Sequence, residues 1–571
     1  MTPLRQYPLS AVRRWALVLL PLAGLIYVCG WRLSAAEPGE CPIELVDVTV
    51  QSGITFRHSH GGSGQQYIVE FMLGGLALFD YDGDQLIDVF LLNGMPLKGT
   101  VAAEPTRHAL YRNLGGGRFL DVTEQAGLAA ATYGMGVTAA DFDNDGNQDL
   151  YLSNFGPNTL YRNNGDGTFT DVTEMASVGR GHKVGAGVGF VDIDADGNLD
   201  IFAANYVDFT YQRHALVAPR SHPFPPGPPD FPSLPANLFR SRGDGSFDDV
   251  SRLSGVAALA GRGMGLLCGD FDEDGDCDVL VANDAMANFL FVNDGRGRFD
   301  ERGVIAGVAL NGRGEAMGNM GAECGDYDND GLLDLLVTTY TSQMPVLYRN
   351  LGRGAFADVT RRAQAGTKTY PHVKWGAALI DFDHDGDRDL FLANGHFLEG
   401  IQKTDDRTAF RVANTLCLNQ GGNSFLDVSS RCGSGLAVVE SSRGAAFDDL
   451  DNDGDVDGVV LNVGTLPTVL ENRSPRSGSW IQILLRGVQC NRDAVGARVR
   501  VVAGGQSQVA LVHSGRGYQS HYGTRLHFGL GAHERVERVE VRWPGGESEL
   551  FTDLAADQIV QLTQGQGEHP P

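Results

Sequence analysis

Seven times the chain places aspartates at the first, third, fifth and ninth positions of a nine-residue stretch, and this repetition constrains the fold more than any other feature. The stretches are DYDGDQLID from Asp80, DFDNDGNQD from Asp141, DIDADGNLD from Asp192, DFDEDGDCD from Asp270, DYDNDGLLD from Asp326, DFDHDGDRD from Asp381 and DLDNDGDVD from Asp449, spaced 61, 51, 78, 56, 55 and 68 residues apart. Each is followed by an apolar run such as LYLSN, then by two runs joined through a Gly-containing turn, as in TLYRNNGDGTFTDVTE. These runs are short, rich in β-branched and aromatic residues, and free of helical periodicity, so they read as strands. With the strand ahead of each Asp loop, every unit has four strands, and repeated four-stranded units of ~40–55 residues signal a β-propeller. The expected fold is therefore all-β, with a seven-bladed propeller over residues 37–473.

The bookkeeping of fourth strands predicts how the ring closes. An F-x-D-V-T-like element follows each of the first six loops, but after the seventh the chain passes through TVLENRSPRSGSW into different sequence. The missing element stands at the other end, as LVDVTVQSGI from Leu45. An N-terminal strand that completes the last blade would remove the open sheet edge. Glycine, 76 of 571 residues, fits many tight turns between short strands. Two stretches lengthen the repeat. One runs from Pro219 to Pro235 with eight of the chain's 23 prolines and is expected to form a polyproline-like loop from the third blade. The other, GHFLEGIQKTDDRTAFRVAN from Gly395, lengthens the sixth. Long loops on a rigid scaffold are where partner contacts concentrate.

The opening of each loop, D-x-[DN]-x-[DN]-G, matches the start of the helix–loop–helix calcium motif, which needs a bidentate Glu at its twelfth position. In the second loop that position is Leu152, between strands. Turn propensity alone would account for one such loop; it does not explain seven with carboxylates at four fixed positions. Calcium takes six to eight oxygen ligands, and the candidate ligands fall by position. Position one is Asp80, Asp141, Asp192, Asp270, Asp326, Asp381 and Asp449; position three is Asp82, Asp143, Asp194, Asp272, Asp328, Asp383 and Asp451. Position five is Asp84, Asp145, Asp196, Asp274, Asp330, Asp385 and Asp453; position nine is Asp88, Asp149, Asp200, Asp278, Asp334, Asp389 and Asp457. Position seven varies among Leu86, Asn147, Asn198, Asp276, Leu332, Asp387 and Asp455, so its ligand is expected to be the backbone carbonyl. Position two is always apolar and is expected to pin the loop to the blade core. Position six is glycine in six loops; Gln85 replaces it in the first, where a distorted or weak site is expected. Up to seven calcium ions are predicted, with magnesium disfavoured because it retains its water.

The loops hold 31 aspartates, more than the whole net charge of −26, so the rest of the chain is nearly balanced. Such acidity argues against nucleic acid as a partner. Arg5, Arg13 and Arg14 precede an apolar run from Trp15 to Val28, and then LSAAE, which reads as an export signal over residues 1–36 cleaved after Ala36; an uncleaved signal anchor is the alternative. Either carries the rest out of the cell interior. In that setting Cys268–Cys277 and Cys417–Cys432 are candidate disulfides by proximity, although sequence leaves connectivity open.

From about Ser474 the Asp loops stop, and WIQILLRG, GARVRVVAG, QVALVHSG, RVEVRWPGG and QIVQLTQG read as strands of a second, all-β domain over 474–571. The loop units resemble FG-GAP/VCBS repeats of integrin-α-type propellers. NRDAVGARV, SGRGYQSH, LHFGLG and VRWPGG resemble the ASPIC/UnbV domain. Together, in this order, they resemble the cartilage acidic protein 1 family of secreted calcium-binding proteins and their bacterial relatives; the chain reads as a bacterial-type member. Gln85 and Asn319, in GNMG where a more regular glycine–methionine turn is expected, depart from the pattern. The resemblance implies a fold, calcium binding and an extracellular setting, and no reaction. The leading expectation is an adhesion or interaction module that meets an extracellular protein or glycan. The runner-up is a secreted enzyme or biosynthetic accessory protein, with Ser514, His513, His521 or His396 as candidate groups.

Overall fold

In the computed structural model, residues 41–100, 106–179, 181–221, 224–421 and 424–570 are described. The N-terminal segment expected to be an export signal lies outside them. Strands pair antiparallel in chain order. In the second repeat Gly134–Ala140 pairs with Asp149–Gly156, that strand with Thr159–Asn163, and that with Phe169–Asp171. The same order recurs in units whose first strands begin at Leu76, Lys183, Gly263, Met317, Lys374 and Ser442. The last unit takes its fourth strand from the other end of the chain: Leu45–Asp47 pairs with Thr468–Asn472, Leu45 opposite Asn472. The first strands adjoin one another around a closed ring, with Leu76–Phe79 beside both Gly134–Ala140 and Ser442–Asp448.

Close approach of these inner strands explains glycines that turns do not. A Cβ on Gly136 would lie 2.4 Å from the Ala186 carbonyl oxygen of the next blade, and one on Gly321 2.5 Å from that of Trp375. Asn319 sits beside this contact, buried within strand Met317–Gly325 and not in a turn. Its Nδ2 donates to Asn283 O at 3.0 Å and Asn288 Oδ1 at 2.7 Å, joining two blades.

The proline-rich insertion departs from expectation at its start. Tyr211–Ser221 is an α-helix that includes Pro219, and only beyond it does the chain turn extended, with a 3₁₀ turn at Pro228–Asp230. The eight residues from Tyr211 to Ala218 contain no proline, and the His214 ring packs 4.7 Å from that of Tyr67. The cysteine pairing also differs. Cys41 is bonded to Cys432, while Cys268, Cys277 and Cys417 are free. Proximity in sequence misled here because ring closure brings the N-terminal strand against the seventh blade: Leu45 N donates to Cys432 O.

The C-terminal domain has two sheets. Ser479–Arg486 lies between Arg525–Gly531, antiparallel, and Gln558–Thr563, parallel. Arg498–Ala503 lies between Gln506–Leu511 and Arg535–Arg542, with Ser548–Ala555 outside. Its core comprises Ile481, Ile483, Val499, Val501, Phe528, Val539 and Trp543, distinct from the propeller clusters. The segment from His513 to Tyr522, between these strands, leaves the domain and is buried inside the ring. Leu78 N donates to His521 O, Val137 N to Gln519 O and Ala322 N to Gly517 O, so it bonds three inner strands at once.

Candidate metal centres

Each Asp loop links the first strand of a blade to its second. The apolar residue at position two is buried in every loop, from Tyr81 to Leu450, which holds the flanking carboxylates outward as expected. In the second loop the Asp141 oxygens accept the amides of Asp145 (3.0 Å) and Gly146 (2.8 Å). Asp149 accepts Phe142 N at 3.0 Å and Asn163 N at 2.7 Å. These bonds wind the backbone so that positions one, three and nine converge. Carboxylate oxygens of Asp80, Asp82 and Asp88 lie within 4.8 Å of one another, as do those of Asp141, Asp143 and Asp149, Asp192, Asp194 and Asp200, Asp270, Asp272 and Asp278, and Asp326, Asp328 and Asp334; two further groups of this kind occur among the described residues.

Position five behaves differently. Its Oδ1 accepts the amide of position seven: Leu86 on Asp84 (3.0 Å), Asn147 on Asp145 (2.9 Å), Asn198 on Asp196 (2.9 Å), Asp276 on Asp274 (3.0 Å), Leu332 on Asp330 (3.0 Å), Asp387 on Asp385 (2.8 Å) and Asp455 on Asp453 (3.0 Å). The named clusters thus contain three of the four sequence positions, and position five shapes the turn. The first loop keeps its trio despite Gln85, which adopts φ 67° with Gly83 at φ 74°.

The electrostatics ask for a cation. Burial, the largest influence, raises Asp88 and Asp278 to about 8 and Asp334 to about 9, and Asp141 and Asp326 to about 7. Neighbouring carboxylates push the same way. Buried oxygens of Asp82, Asp194, Asp270, Asp328, Asp381, Asp383 and Asp451 have no hydrogen-bond partner among the described residues, one or more in six of the seven loops. Desolvated carboxylates converging in threes, with an unpartnered oxygen in six of the loops, are the donor set a hard, oxygen-seeking divalent ion needs.

Three groups of residues around the loops escape a motif search. The arginine of the recurrent L-Y-R-N stretch reaches into its own loop: Arg112 to Asp82 (2.7 Å) and Asp84 (3.1 Å), Arg349 to Asp328 (2.6 Å) and Asp330 (2.8 Å). The following asparagine joins blades. Asn163 Nδ2 donates to Tyr81 O of the preceding loop at 2.8 Å, and Asn113, Asn293, Asn350, Asn419 and Asn472 do the same to position two of a neighbouring blade. The third blade has Ser241 there instead. Both residues recur in the sequence, and that recurrence is the signal for them. The C-terminal domain supplies the third group, on the loop face: Asp493 accepts Asp141 N (2.9 Å), Gln482 donates to Asp449 (2.8 Å) and Arg542 bonds Asp270 (3.1 Å). No spacing in the sequence announces these contacts.

The other candidate groups lie in the ring. Ser514 Oγ bonds Thr138 Oγ1 (2.7 Å) and Ala139 O (2.8 Å); His513 Nε2 faces Cys324 Sγ (3.3 Å); His521 Nδ1 accepts Gly515 N (3.2 Å). Ser514 makes no hydrogen bond to a histidine among the described residues. The segment is instead held by Arg516, paired with buried Glu323, which also accepts the Tyr522 hydroxyl at 2.6 Å. His396 stands apart, in the sixth-blade insertion.

Residues 80–152, 141–203, 270–337 and 326–392 match the FG-GAP-like repeat, and residues 487–569 match ASPIC and UnbV. These matches define the class: FG-GAP-like repeats folded as a β-propeller and followed by an ASPIC and UnbV domain. The chain is similar to cartilage acidic protein 1 of Mus musculus, 26% identical over 451 residues, and of Homo sapiens, 25% identical over 435. These alignments cover 75% and 72% of this chain but 64% and 60% of those proteins, so the chain spans less than two thirds of the relatives' length. Both relatives are mammalian and lend nothing to a bacterial-type assignment. A solved Agrocybe aegerita lectin that recognises non-reducing terminal N-acetylglucosamine aligns at TM-score 0.38 with 15% identity, over 62% of this chain and 79% of that one, too remote to carry an argument.

Proposed function

We propose that the protein is an exported calcium-binding propeller that serves as an extracellular interaction module, rigidified by up to seven ions. The observation that carries the reading is the recurrence of buried, unpartnered aspartate oxygens in loops whose first, third and ninth carboxylates converge. A calcium ion at each would offset the burial, and the lesser mutual repulsion, that raise those carboxylates and would tie the first two strands of a blade together. The disulfide between Cys41 and Cys432 supports an oxidising compartment, and the similarity to cartilage acidic protein 1 supports an extracellular one. Partners would be proteins or glycans met by the rigid ring; a membrane would be reached only through the N-terminal segment. Because Ser514, His513 and His521 are buried and engaged elsewhere, nothing there favours the enzyme or accessory reading over the module.

The test is thermal unfolding with calcium titrated back into chelated protein, together with calorimetric counting of sites. Each site at a hundred times its dissociation constant adds ~2.7 kcal/mol. A melting temperature indifferent to excess EDTA would remove calcium from the account.

A further inference from the structure

The two insertions that the repeat does not need converge on one cavity of ≈ 410 Å³. Phe224 to Pro228 of the proline-rich insertion form one wall, and His396 to Leu398 of the sixth-blade insertion form another. Trp375, near the start of inner strand Lys374–Ile380, also lines it; the Asp loop begins at the other end of that strand, roughly 20 Å away. The cavity therefore opens on the face opposite the Asp loops.

Its construction is that of a ligand site. The volume lies within the ~300–1,000 Å³ typical of small-molecule pockets. The aromatic walls are braced: Phe397 packs 4.8 Å from Phe71 and 5.9 Å from Tyr340, Trp375 Nε1 donates to Gly395 O at 2.6 Å, and the Tyr518 ring at the tip of the inserted segment packs 5.0 Å from Trp375. Two polar groups on the wall are left incomplete. Asp284 Oδ2 accepts the Tyr206 hydroxyl at 2.7 Å, and no donor among the described residues meets its Oδ1. His396 is 1% exposed; Leu398 N donates to its Nδ1 at 3.0 Å, which fixes the proton on Nε2, and that N–H has no partner among the described residues. Burial raises Asp284 only to about 6, so it is ionised at neutral pH. Of the cations nearby, Arg262 lowers Asp284 through its charge and Arg443 lies 4.1 Å from the Trp375 ring centroid and donates to Ser441 Oγ and Ser442 O; neither lines the cavity.

We propose that this cavity binds a small ring-containing amine, with its ring against Trp375, Tyr340 and Phe397, its ammonium on Asp284, and an acceptor oxygen on His396 Nε2–H. An acceptor-only carboxylate selects a donor, π-faces favour a cation beside them, and a lone imidazole N–H selects an acceptor. The proposal goes beyond the calcium reading and does not depend on it.

Tyramine carries all three features, and 3-(4-hydroxyphenyl)propionate reverses the charge at similar size. With the full exported chain in calcium, saturation-transfer NMR and calorimetry should find saturable tyramine binding at least tenfold tighter than that of the acid. Asp284→Asn should erase the preference by weakening tyramine about tenfold, or ~1.4 kcal/mol, without altering the calcium-dependent melt. Ile401→Trp, which fills the cavity from the insertion, should block tyramine and keeps the test decisive if the first variant folds poorly. Equal affinity for amine and acid, tyramine binding unmoved by both variants, or no saturable binding of either probe would overturn the proposal.

Discussion

At the scale of the residue, each Asp loop needs positive φ at both its fourth and its sixth position. In six loops the sixth is glycine and the fourth is an ordinary residue, such as Asn144 at φ 59°, Glu273 at 68° and His384 at 61°. The first loop exchanges the two, Gly83 standing at the fourth position and Gln85 at the sixth. Sequence alone suggested a damaged site, whereas the backbone shows the same turn with the strain moved two residues. Gln85→Gly should accordingly stabilise the protein by about 0.5–1 kcal/mol, the relief of left-handed strain less the added chain entropy of glycine, read as a shift in urea midpoint with calcium present. A loss of stability would mean that the Gln85 side chain contributes more than its backbone costs.

At the scale of the element, blades are joined in two ways that differ in visibility. The glycines of the inner strands admit the neighbouring backbone, and the asparagine closing the third strand of six blades bonds the loop of a neighbouring blade. Asn163→Ala leaves the Tyr81 and Gln148 carbonyls without that donor, and an unmet buried polar group costs about 1–3 kcal/mol. Ser241→Ala, at the equivalent place in the third blade, removes only a 3.2 Å bond to Gly243 N and should cost measurably less. Equal losses in denaturant melts would deny the asparagine its inter-blade role. The repeat itself was legible because it is written in short-range periodicity. The helix Tyr211–Ser221 was not, since a neighbourhood dense in proline masks eight residues that have none.

At the scale of the whole molecule, closure and charge dominate. Cys41–Cys432 ties the N-terminal strand to the connection between the sixth and seventh blades across 391 residues. Its removal by Cys41→Ser should cost about 2–5 kcal/mol and should expose the edge of Thr468–Asn472, detectable as faster amide exchange there; unaltered exchange would show that the strand holds without it. The chelated protein should also respond to pH in an unusual direction. At position nine Asp88, Asp278 and Asp334 titrate near 8 to 9 when folded, against 3.8 ordinarily, because burial disfavours their charge, and the other four are raised in the same direction. The folded state then holds more protons than the unfolded one, so stability present below pH ~4 is lost as pH rises toward 8 or 9. Calcium should reverse the trend, since it competes with those protons. A chelated melting temperature that climbs between pH 5 and 8 would contradict the burial of these groups. Short-range pattern by itself determined the strands, the four-strand repeat, the loop carboxylates and the second β domain, because each is set by residues close together in the chain. Only tertiary structure decided the disulfide, which carbonyls of neighbouring blades the recurrent asparagines bond, the ring-filling segment from His513 to Tyr522, and the meeting of two insertions over Trp375. Those depend on distances between blades, which follow from how the ring closes and which no local spacing encodes.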